Sequence, residues 1–328
     1  MSTAVSWDRP AGSVERPFHG MIGRHPIMLA LYDAIERAAG VRSPVLIEGA
    51  TGVGKDLVAQ AVHALSGVSG PLVALNVATL PDTLVESELF GAVRGAYTGS
   101  VIDREGVVGA ATGGTLFLDE AGDLTHAVQA KLLRTLEAGQ YRPVGACHER
   151  RASFRLIMTV QESPLTLLAT NRWRADFYYR IAGLALKVPS LRARPTDIPL
   201  LASHLLSSMV TGDCSMMMLR VLSEYGWPGN VRQLKRAIER AVFHAGSLPV
   251  TPEAVLEAAR DMDPACRDPS AVRGGTRPTL LAQERERIVE AMAATGSTKE
   301  AAGWLGLSVY QLYRRLRRHE ISAPHTRV

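Results

Sequence analysis

Short apolar runs alternate with amphipathic segments over the first half of the chain. Residues 44–49 read PVLIEG, and similar apolar runs follow at 72–75, 115–118 and 154–158. Between these runs, hydrophobic residues recur at helical spacing, as in 56–65 and 128–136. Strands that are apolar throughout and separated by helices indicate a parallel sheet covered by helices on both faces. The fold class predicted for this part is therefore α/β.

From about residue 190 the strand signals end, and helical patterns follow at 198–209, 216–225 and 230–245. A stretch rich in Asp, Pro, Gly and Arg then predicts a linker. The last fifty residues predict a compact all-α unit. In that unit Ala301 and Ala302 allow two helices to approach closely, and we expect its centre to be filled by Trp304, Leu305, Leu312 and Leu316.

The length, hydrophobicity, cysteine content and charge of the chain limit the kinds of protein that it could be. A chain of 328 residues suits about two or three domains. Charges, Gly or Pro interrupt every apolar run well before the ~20 residues that a membrane span requires, and the N-terminus has no signal-peptide core. Three widely separated cysteines argue against a disulfide framework and a zinc site. We therefore expect a cytoplasmic protein with no membrane partner, and the net charge of +5 hints at nucleic acid.

The first strand runs into GATGVGKD, which is followed by a helical pattern. Glycines let backbone N–H groups point at phosphate oxygens, and the helix N-terminus adds a favourable dipole. Lys55 would supply positive charge to the β- and γ-phosphates. Asp56 stands where Ser or Thr usually ligates magnesium, and it could reach the metal through water or cap the helix. The predicted ATP-binding residues are Gly49, Ala50, Thr51, Gly52, Val53, Gly54, Lys55 and Asp56.

Residues 113–120 read GGTLFLDE, an apolar strand that ends in two acids. Asp119 would hold Mg²⁺, and Glu120 would polarise the attacking water. Such pairs are common as helix caps, but about sixty residues after a phosphate loop this pair indicates an ATPase. The predicted cofactors are ATP and Mg²⁺.

Between these two motifs, ELFG at 88–91 is followed by GAYTGS. Residues 21–245 resemble the AAA+ domain of bacterial enhancer-binding proteins, the activators of sigma-54 RNA polymerase. That family carries GAFTGA here, on a loop that touches the sigma factor. From the six residues alone, a turn with a core tyrosine is the alternative. The resemblance implies a sigma-factor loop made of Gly95, Ala96, Tyr97, Thr98, Gly99 and Ser100, with Tyr and Ser replacing the usual Phe and Ala.

Further segments match the family in order. The resemblance implies that Asn76 positions the catalytic Glu, and that Arg232, in WPGNVR, senses nucleotide from the lid. WRADFYYR resembles FRxDLYYR, which makes Arg174 and Arg180 arginine fingers for the neighbouring subunit's γ-phosphate. Surface salt bridges are the alternative for these arginines. Residues 159–161 depart from the family, with Thr-Val-Gln in place of Ala-Thr-Asn, although the Gln161 amide could still donate.

The C-terminal unit resembles the Fis-type helix-turn-helix that ends this family. Its last helix concentrates arginines, as contact with DNA phosphates requires, although an arginine-rich solvated face is the alternative. The implied DNA-binding residues are Ser308, Val309, Tyr310, Gln311, Arg314, Arg315 and Arg318. The predicted domains are an N-terminal extension (1–20), the AAA+ α/β subdomain (21–187), the helical lid (188–260), a linker (261–279) and the helix-turn-helix domain (280–328).

The resemblance implies a sigma-54-dependent activator that binds double-stranded enhancer DNA and remodels the closed polymerase complex to an open one. It also implies a ring, generally a hexamer, of one polypeptide or two related ones. Twenty residues cannot form the sensing domain that most members carry. We therefore expect control by a separate regulatory protein, with pairing to a related subunit or the level of expression as the alternatives. A second hypothesis is a DNA-binding regulator that uses ATP as a switch without remodelling. A third, an unfoldase or helicase subunit, is disfavoured by the sigma-factor loop and the terminal helix-turn-helix.

Overall fold

The computed structural model describes most of residues 17–263 and selected positions of the C-terminal unit. The described residues are 17–96, 102–209, 221–245, 250–263, 288–289, 291–292, 295, 297–305, 312 and 316. They divide into two compact units, Met1–Asp263 and Pro264–Val328. Most of the predicted N-terminal extension, part of the predicted helix at 216–225 and most of the predicted linker lie outside the described residues.

The first unit contains a parallel five-stranded sheet, as the apolar runs predict. Its strands in chain order are β1 (Val45–Glu48), β2 (Leu72–Asn76), β3 (Thr115–Asp119), β6 (Arg155–Val160) and β7 (Leu184–Lys187). Across the sheet the order is β2-β3-β6-β1-β7. Two short antiparallel strands, β4 (Gln140–Tyr141) and β5 (Arg150–Arg151), form a separate ribbon. The carboxyl ends of all five parallel strands meet at one edge, where ligands gather in such sheets.

Helices cover both faces of the sheet. Those of the α/β part are α1 (Pro26–Ala39), α2 (Lys55–Leu65), α3 (Asp82–Phe90), α4 (Val107–Ala110), α5 (His126–Ala138), α6 (Pro164–Ala169) and α7 (Ala175–Ile181). Alternate residues of one strand face opposite sides. Leu46 packs into the cluster with α3, α5 and α7, whereas Val45 and Ile47 pack against α1 and α2. This alternation explains why each strand is apolar on both faces.

A helical lid follows the sheet. Its described elements include α8 (Asp197–Ser207), α9 (Asn230–Ala245) and α10 (Pro252–Met262), preceded by a 3₁₀ turn at Leu191–Ala193. Trp227 is 1% exposed at its centre and donates from Nε1 to the Leu222 carbonyl at 2.8 Å. Among the described residues of the chain, no helix is long and apolar enough to cross a membrane.

The described positions of the second unit form a small apolar cluster. It includes Ile288, Ala291, Ala301, Ala302, Leu312 and Leu316. The sequence predicts this placement for Ala301, Ala302, Leu312 and Leu316. The prediction for Trp304 is wrong, because this side chain is 57% exposed at the end of α11 (Thr298–Trp304). At ~100° per residue, Trp304 lies roughly 110° from the middle of the arc that Ala301 and Ala302 share. The predicted DNA-binding residues 308–311, 314, 315 and 318 lie outside the described residues.

Candidate functional site

The phosphate loop connects β1 to α2 and has the backbone that phosphate binding requires. Gly52 and Gly54 adopt left-handed φ values of 76° and 100°, which glycine allows without a Cβ clash. The Lys55 ammonium donates to the Gly49 carbonyl at 2.8 Å and to the Ala50 carbonyl at 3.4 Å. Burial lowers the pKa of Lys55, and the charges of Glu120 and Asp119 oppose this shift. The loop thus holds a lysine that is ready to exchange carbonyl partners for phosphate oxygens.

The two acids lie beside the loop, at the carboxyl end of β3. Because Asn76 is paired with Asp119 in the parallel register of β2 and β3, its amide reaches that carboxylate, and Nδ2 donates to Oδ2 at 2.7 Å. The Thr159 hydroxyl of β6 donates to the other oxygen, Oδ1, at 2.5 Å. The expected contact of Asn76 with Glu120 is therefore replaced by a contact with Asp119. Both oxygens of the Asp119 carboxylate therefore accept hydrogen bonds from side chains of the neighbouring strands.

Glu120 has an unusual backbone conformation, and two hydrogen bonds within the described residues hold it. Its φ of 58° places a non-glycine residue in the left-handed region, a conformation associated with functional sites. Its backbone N–H donates to the Thr159 hydroxyl at 3.0 Å. Gln161, just after β6, donates from Nε2 to the Glu120 carboxylate at 2.5 Å. The altered 159–161 segment thus contacts both acids. The role of Thr159 is not evident from the sequence, because it depends on β6 lying beside β3 in the sheet.

The carboxylates of Asp119 and Asp56 fit a magnesium ion. Burial raises the pKa of Asp56, and the negative charge of Asp119 raises it further. A divalent cation relieves such repulsion between two carboxylates, and oxygen is the ligand atom that Mg²⁺ prefers. In the described part of the chain, no cluster of three or more His, Cys, Asp or Glu side chains forms a complete metal cage. Phosphate oxygens and water are therefore needed to complete a coordination shell here, as is usual for Mg²⁺.

The lid packs directly on the phosphate loop. A Cβ at Gly52 would lie 2.5 Å from the Gly229 carbonyl oxygen and 2.8 Å from the Arg232 Cβ. The Arg232 backbone N–H donates to the Gly52 carbonyl at 3.2 Å. The side chain of Asn230 donates to the Thr51 carbonyl at 3.0 Å and accepts from the Leu191 N–H at 2.8 Å. The structure therefore places the Arg232 backbone at the loop, and it adds Asn230, which the sequence motif does not single out.

The arginine-finger candidates lie on α7 and at its start, and both side chains are exposed. Arg174 forms two hydrogen bonds to Asp176, at 3.0 and 2.7 Å, which lower the pKa of that carboxyl to about 2. Within the part of the chain that the structure describes, the Arg180 side chain has no hydrogen-bond or ion-pair partner. Arg174 thus forms a surface salt bridge, which is the alternative to its role as an arginine finger. Arg180 is accessible to another molecule.

The stem of the predicted sigma-factor loop is an antiparallel pair. Ala92 and Arg104 exchange backbone hydrogen bonds of 3.0 and 2.8 Å. Gly95 has a left-handed φ of 82°, and Ala96 follows it. Residues 97–100, which include Tyr97, Thr98, Gly99 and Ser100, lie outside the described residues. The described stem thus lies between the two ATP motifs in the sequence.

Gly106→Ala should destabilise this stem. A Cβ at Gly106 would lie 2.2 Å from the Gly91 nitrogen and 2.4 Å from the Leu89 carbonyl oxygen, so backbone must move. We expect the free energy of unfolding to fall by about 1–3 kcal/mol, as overpacking typically costs. Urea unfolding measures the change. Gly183→Ala is the control because nothing lies within 4 Å of its Cβ position. An equal loss in the two variants would contradict the close backbone approach.

Comparisons with known proteins agree with this geometry. The family model "Sigma-54 interaction domain" matches residues 21–187, "AAA+ ATPase lid domain" matches 192–271, and "Bacterial regulatory protein, Fis family" matches 279–319. The chain is similar to the transcriptional regulatory protein ZraR of Salmonella typhimurium, with 39% identity over 307 residues, 91% of this chain and 68% of the relative. It is also similar to GlrR of Escherichia coli, with 37% identity over 322 residues, 94% of this chain and 70% of the relative.

Among solved structures, NtrX from Brucella abortus in complex with ATP is similar at a TM-score of 0.68 and 29% identity, covering 92% of this chain and 69% of that one. The same fold, the same order of domains and the shared identity over most of the chain point to one family. The chain belongs to the sigma-54-dependent AAA+ transcription regulators that end in a Fis-type DNA-binding helix-turn-helix.

Proposed function

We propose that this protein binds enhancer DNA and uses ATP hydrolysis to remodel the closed complex of sigma-54 RNA polymerase into an open complex. One observation carries the proposal: Lys55, Asp119 and Glu120 converge at a single edge of the sheet, next to a phosphate loop of the required conformation. Their charges and placement suit the hydrolysis of a nucleoside triphosphate. Membership in the sigma-54-dependent family links this chemistry to transcription.

Each residue has a role in this proposal. Lys55 and the loop N–H groups bind the phosphates, and Glu120 orients and deprotonates the attacking water. Mg²⁺, when bound through Asp119, supplies charge neutralisation to the phosphate oxygens. Asn76 and Thr159 hold Asp119, and Arg232 reports nucleotide to the lid. Because Asp119 is the proposed metal ligand, the Glu120 carboxylate is left to act on the attacking water.

We further propose that ATP is hydrolysed at sites shared by neighbouring subunits of a ring. Arg180, together with Arg174 once it leaves Asp176, would reach the γ-phosphate of a neighbouring subunit, since a guanidinium offers forked donors to phosphoryl oxygens. Nucleotide in that shared site would order the loop at 95–100 against the sigma factor. The ring, generally a hexamer in this family, would hold one polypeptide or two related ones, and helix-turn-helix residues 308–318 would tether it to DNA.

Open-complex formation on a supercoiled promoter tests the proposal. We expect sigma-54 polymerase to form open complexes with the unaltered protein and ATP, and to form none with Lys55→Ala or Thr98→Ala. Lys55→Ala removes the phosphate charge, whereas Thr98→Ala alters the loop and leaves ATP hydrolysis in place. Lys235→Ala, an exposed lysine of α9, is the matched control. ATP hydrolysis and DNA binding without open complexes would point to a missing partner subunit or to the ATP-switch regulator, which Ser100 and the altered residues 159–161 motivate.

A further inference from the structure

One buried amide joins the turn after the catalytic acids to the finger segment (residues 172–174), which leads into the helix of the arginine-finger candidates. Gln129 of α5 is 0% exposed. Its Nε2 donates to the Leu124 carbonyl and to the Arg172 carbonyl, both at 2.7 Å. Its Oε1 accepts from the Arg174 N–H at 2.9 Å. Backbone groups of two separate segments therefore share a single side chain.

The partners fix the orientation of this amide. A carbonyl oxygen only accepts hydrogen bonds and a backbone N–H only donates. The Gln129 nitrogen must therefore face the two carbonyls, and its oxygen must face Arg174. The finger segment is distant in sequence, since 43 positions separate Gln129 from Arg172 and 45 separate it from Arg174. A buried group without a partner is costly, so the three hydrogen bonds hold the two segments together.

Two further contacts join the same segments. Trp173, which is 1% exposed, donates from Nε1 to the Ala121 carbonyl at 3.2 Å. The Arg172 guanidinium forms ion pairs with Asp123 at 2.6 Å and with Glu162 at 2.5 Å. Ala121 and Asp123 belong to the short 3₁₀ turn that directly follows the two catalytic acids. The finger segment is therefore attached to this turn through all three of its residues.

The finger segment sets the position of α7. This helix begins directly after Arg174, and Arg180 lies in its last turn. At 1.5 Å per residue, Arg180 is roughly 9 Å along the helix axis from Arg174. A small tilt at the start of α7 therefore moves the Arg180 side chain. This side chain is exposed, and no partner among the described residues holds it. Its direction depends on the backbone that Gln129 fixes.

We propose that Gln129 is a positioning residue for ATP hydrolysis at the neighbouring subunit's site. It holds the finger segment against the turn after its own subunit's acids, and it thereby aims Arg180 and Arg174 at the next subunit. This inference rests on the proposed hydrolysis at sites shared by subunits. It has a specific consequence: a change at Gln129 impairs the subunit that supplies the arginines, and spares the subunit that binds the hydrolysed ATP.

The test measures ATP hydrolysis by mixtures of two full-length variants. Lys55→Ala removes phosphate binding and keeps the arginines, whereas Arg180→Ala keeps the ATP site and removes an arginine. Productive sites in the mixture combine ATP on the second variant with arginines from the first. Gln129→Met, which keeps side-chain length without the amide, is added to either variant. Thr135→Val is the matched control, because Thr135 is buried on α5 and its hydroxyl donates to the Lys131 carbonyl within that helix.

We expect Gln129→Met to lower turnover of the mixture by about 10- to 100-fold when the Lys55→Ala variant carries it, because small misplacements of a catalytic group cost much of the rate. When the Arg180→Ala variant carries it, turnover should change less than about threefold. Thr135→Val should change turnover less than about twofold in either variant.

Arg172→Met is a second variant with little risk to folding, since exposed ion pairs contribute little to stability. It removes the ion pairs to Asp123 and Glu162 and leaves the Gln129 hydrogen bonds in place. We expect the same asymmetry with a smaller loss, about 3- to 10-fold, when the Lys55→Ala variant carries it. If Gln129→Met does not fold, the asymmetry of Arg172→Met decides.

The outcomes separate this inference from the proposed function. Equal losses in the two positions would overturn the inference alone, because Gln129 would then serve its own site or the fold. Full turnover with Gln129→Met in either position would also overturn it alone. An unaltered protein that hydrolyses ATP, together with an inactive mixture of Lys55→Ala and Arg180→Ala, would overturn the shared site and this inference with it. An unaltered protein without ATP hydrolysis would overturn the proposed function itself.

Discussion

Replacing Glu120 by Gln should lower kcat for ATP hydrolysis by about 10²–10⁴-fold, the usual contribution of a general base. The amide is nearly isosteric with the carboxylate, but it does not accept the proton of the attacking water. Nucleotide binding should persist, because Lys55 and the phosphate loop do not depend on Glu120. The Asp119 carboxylate also keeps its hydrogen bonds from Asn76 and Thr159. The measurements are steady-state hydrolysis and the affinity for a fluorescent ATP analogue.

Glu137→Gln is the matched control for Glu120→Gln, because Glu137 is an exposed acid on α5, away from the site. It should hydrolyse ATP at the rate of the unaltered protein. A Glu120→Gln variant that loses affinity for the analogue in proportion to its rate would contradict the assignment, since Glu120 would then bind nucleotide. A variant with full turnover would place the general base elsewhere.

The sequence pattern predicts the sheet well, because burial and chain order decide it. Each parallel strand is apolar on both faces, so the runs at 44–49 and 115–118 are recognisable without any partner. Parallel strands also deliver their carboxyl ends to one edge. The phosphate loop after β1 and the acids after β3 are therefore expected at the same place, and the structure has them there.

The hydrogen-bond partners inside the site could not be predicted with equal success. Asn76 contacts Asp119 and not Glu120 because of the register between β2 and β3, which the sequence does not state. From the sequence, the segment at 159–161 is recognisable only as a departure from the family pattern. In the structure Thr159 and Gln161 hold the two acids, which becomes evident once β6 is placed beside β3. Such roles depend on neighbours across the sheet.

The part that Asn230 takes in the contact between lid and loop is the other feature that sequence alone does not indicate. The motif at residues 227–232 implies a role for Arg232 alone. The structure shows that Asn230 is 3% exposed and adopts a φ of 52°, a left-handed conformation that asparagine tolerates. Its contacts span 179 residues to Thr51 and 39 residues to Leu191. Interactions at this sequence separation leave no periodic signal in the chain.

Asn230→Ala should lower the free energy of unfolding of the ATPase unit by about 2–4 kcal/mol. The change leaves the Leu191 N–H and the Thr51 carbonyl without their described side-chain partner, and a buried group without a partner costs about 1–3 kcal/mol. Alanine also tolerates the left-handed backbone less well than asparagine. Urea unfolding measures the loss. Because Asn230 ties the phosphate loop to the lid, affinity for an ATP analogue should also fall by about tenfold, equivalent to ~1.4 kcal/mol of loop ordering.

Asn171→Ala separates these two causes. Asn171 has nearly the same backbone conformation, with a φ of 55°, but its side chain is exposed. This control should therefore show the cost of the left-handed backbone without the loss of buried hydrogen bonds, and it should leave nucleotide affinity unchanged. The difference between the two variants measures what the Asn230 side chain contributes to the lid and the phosphate loop. Equal destabilisation in both would mean that the backbone conformation alone accounts for the effect, and that Asn230 does not couple the lid to bound nucleotide.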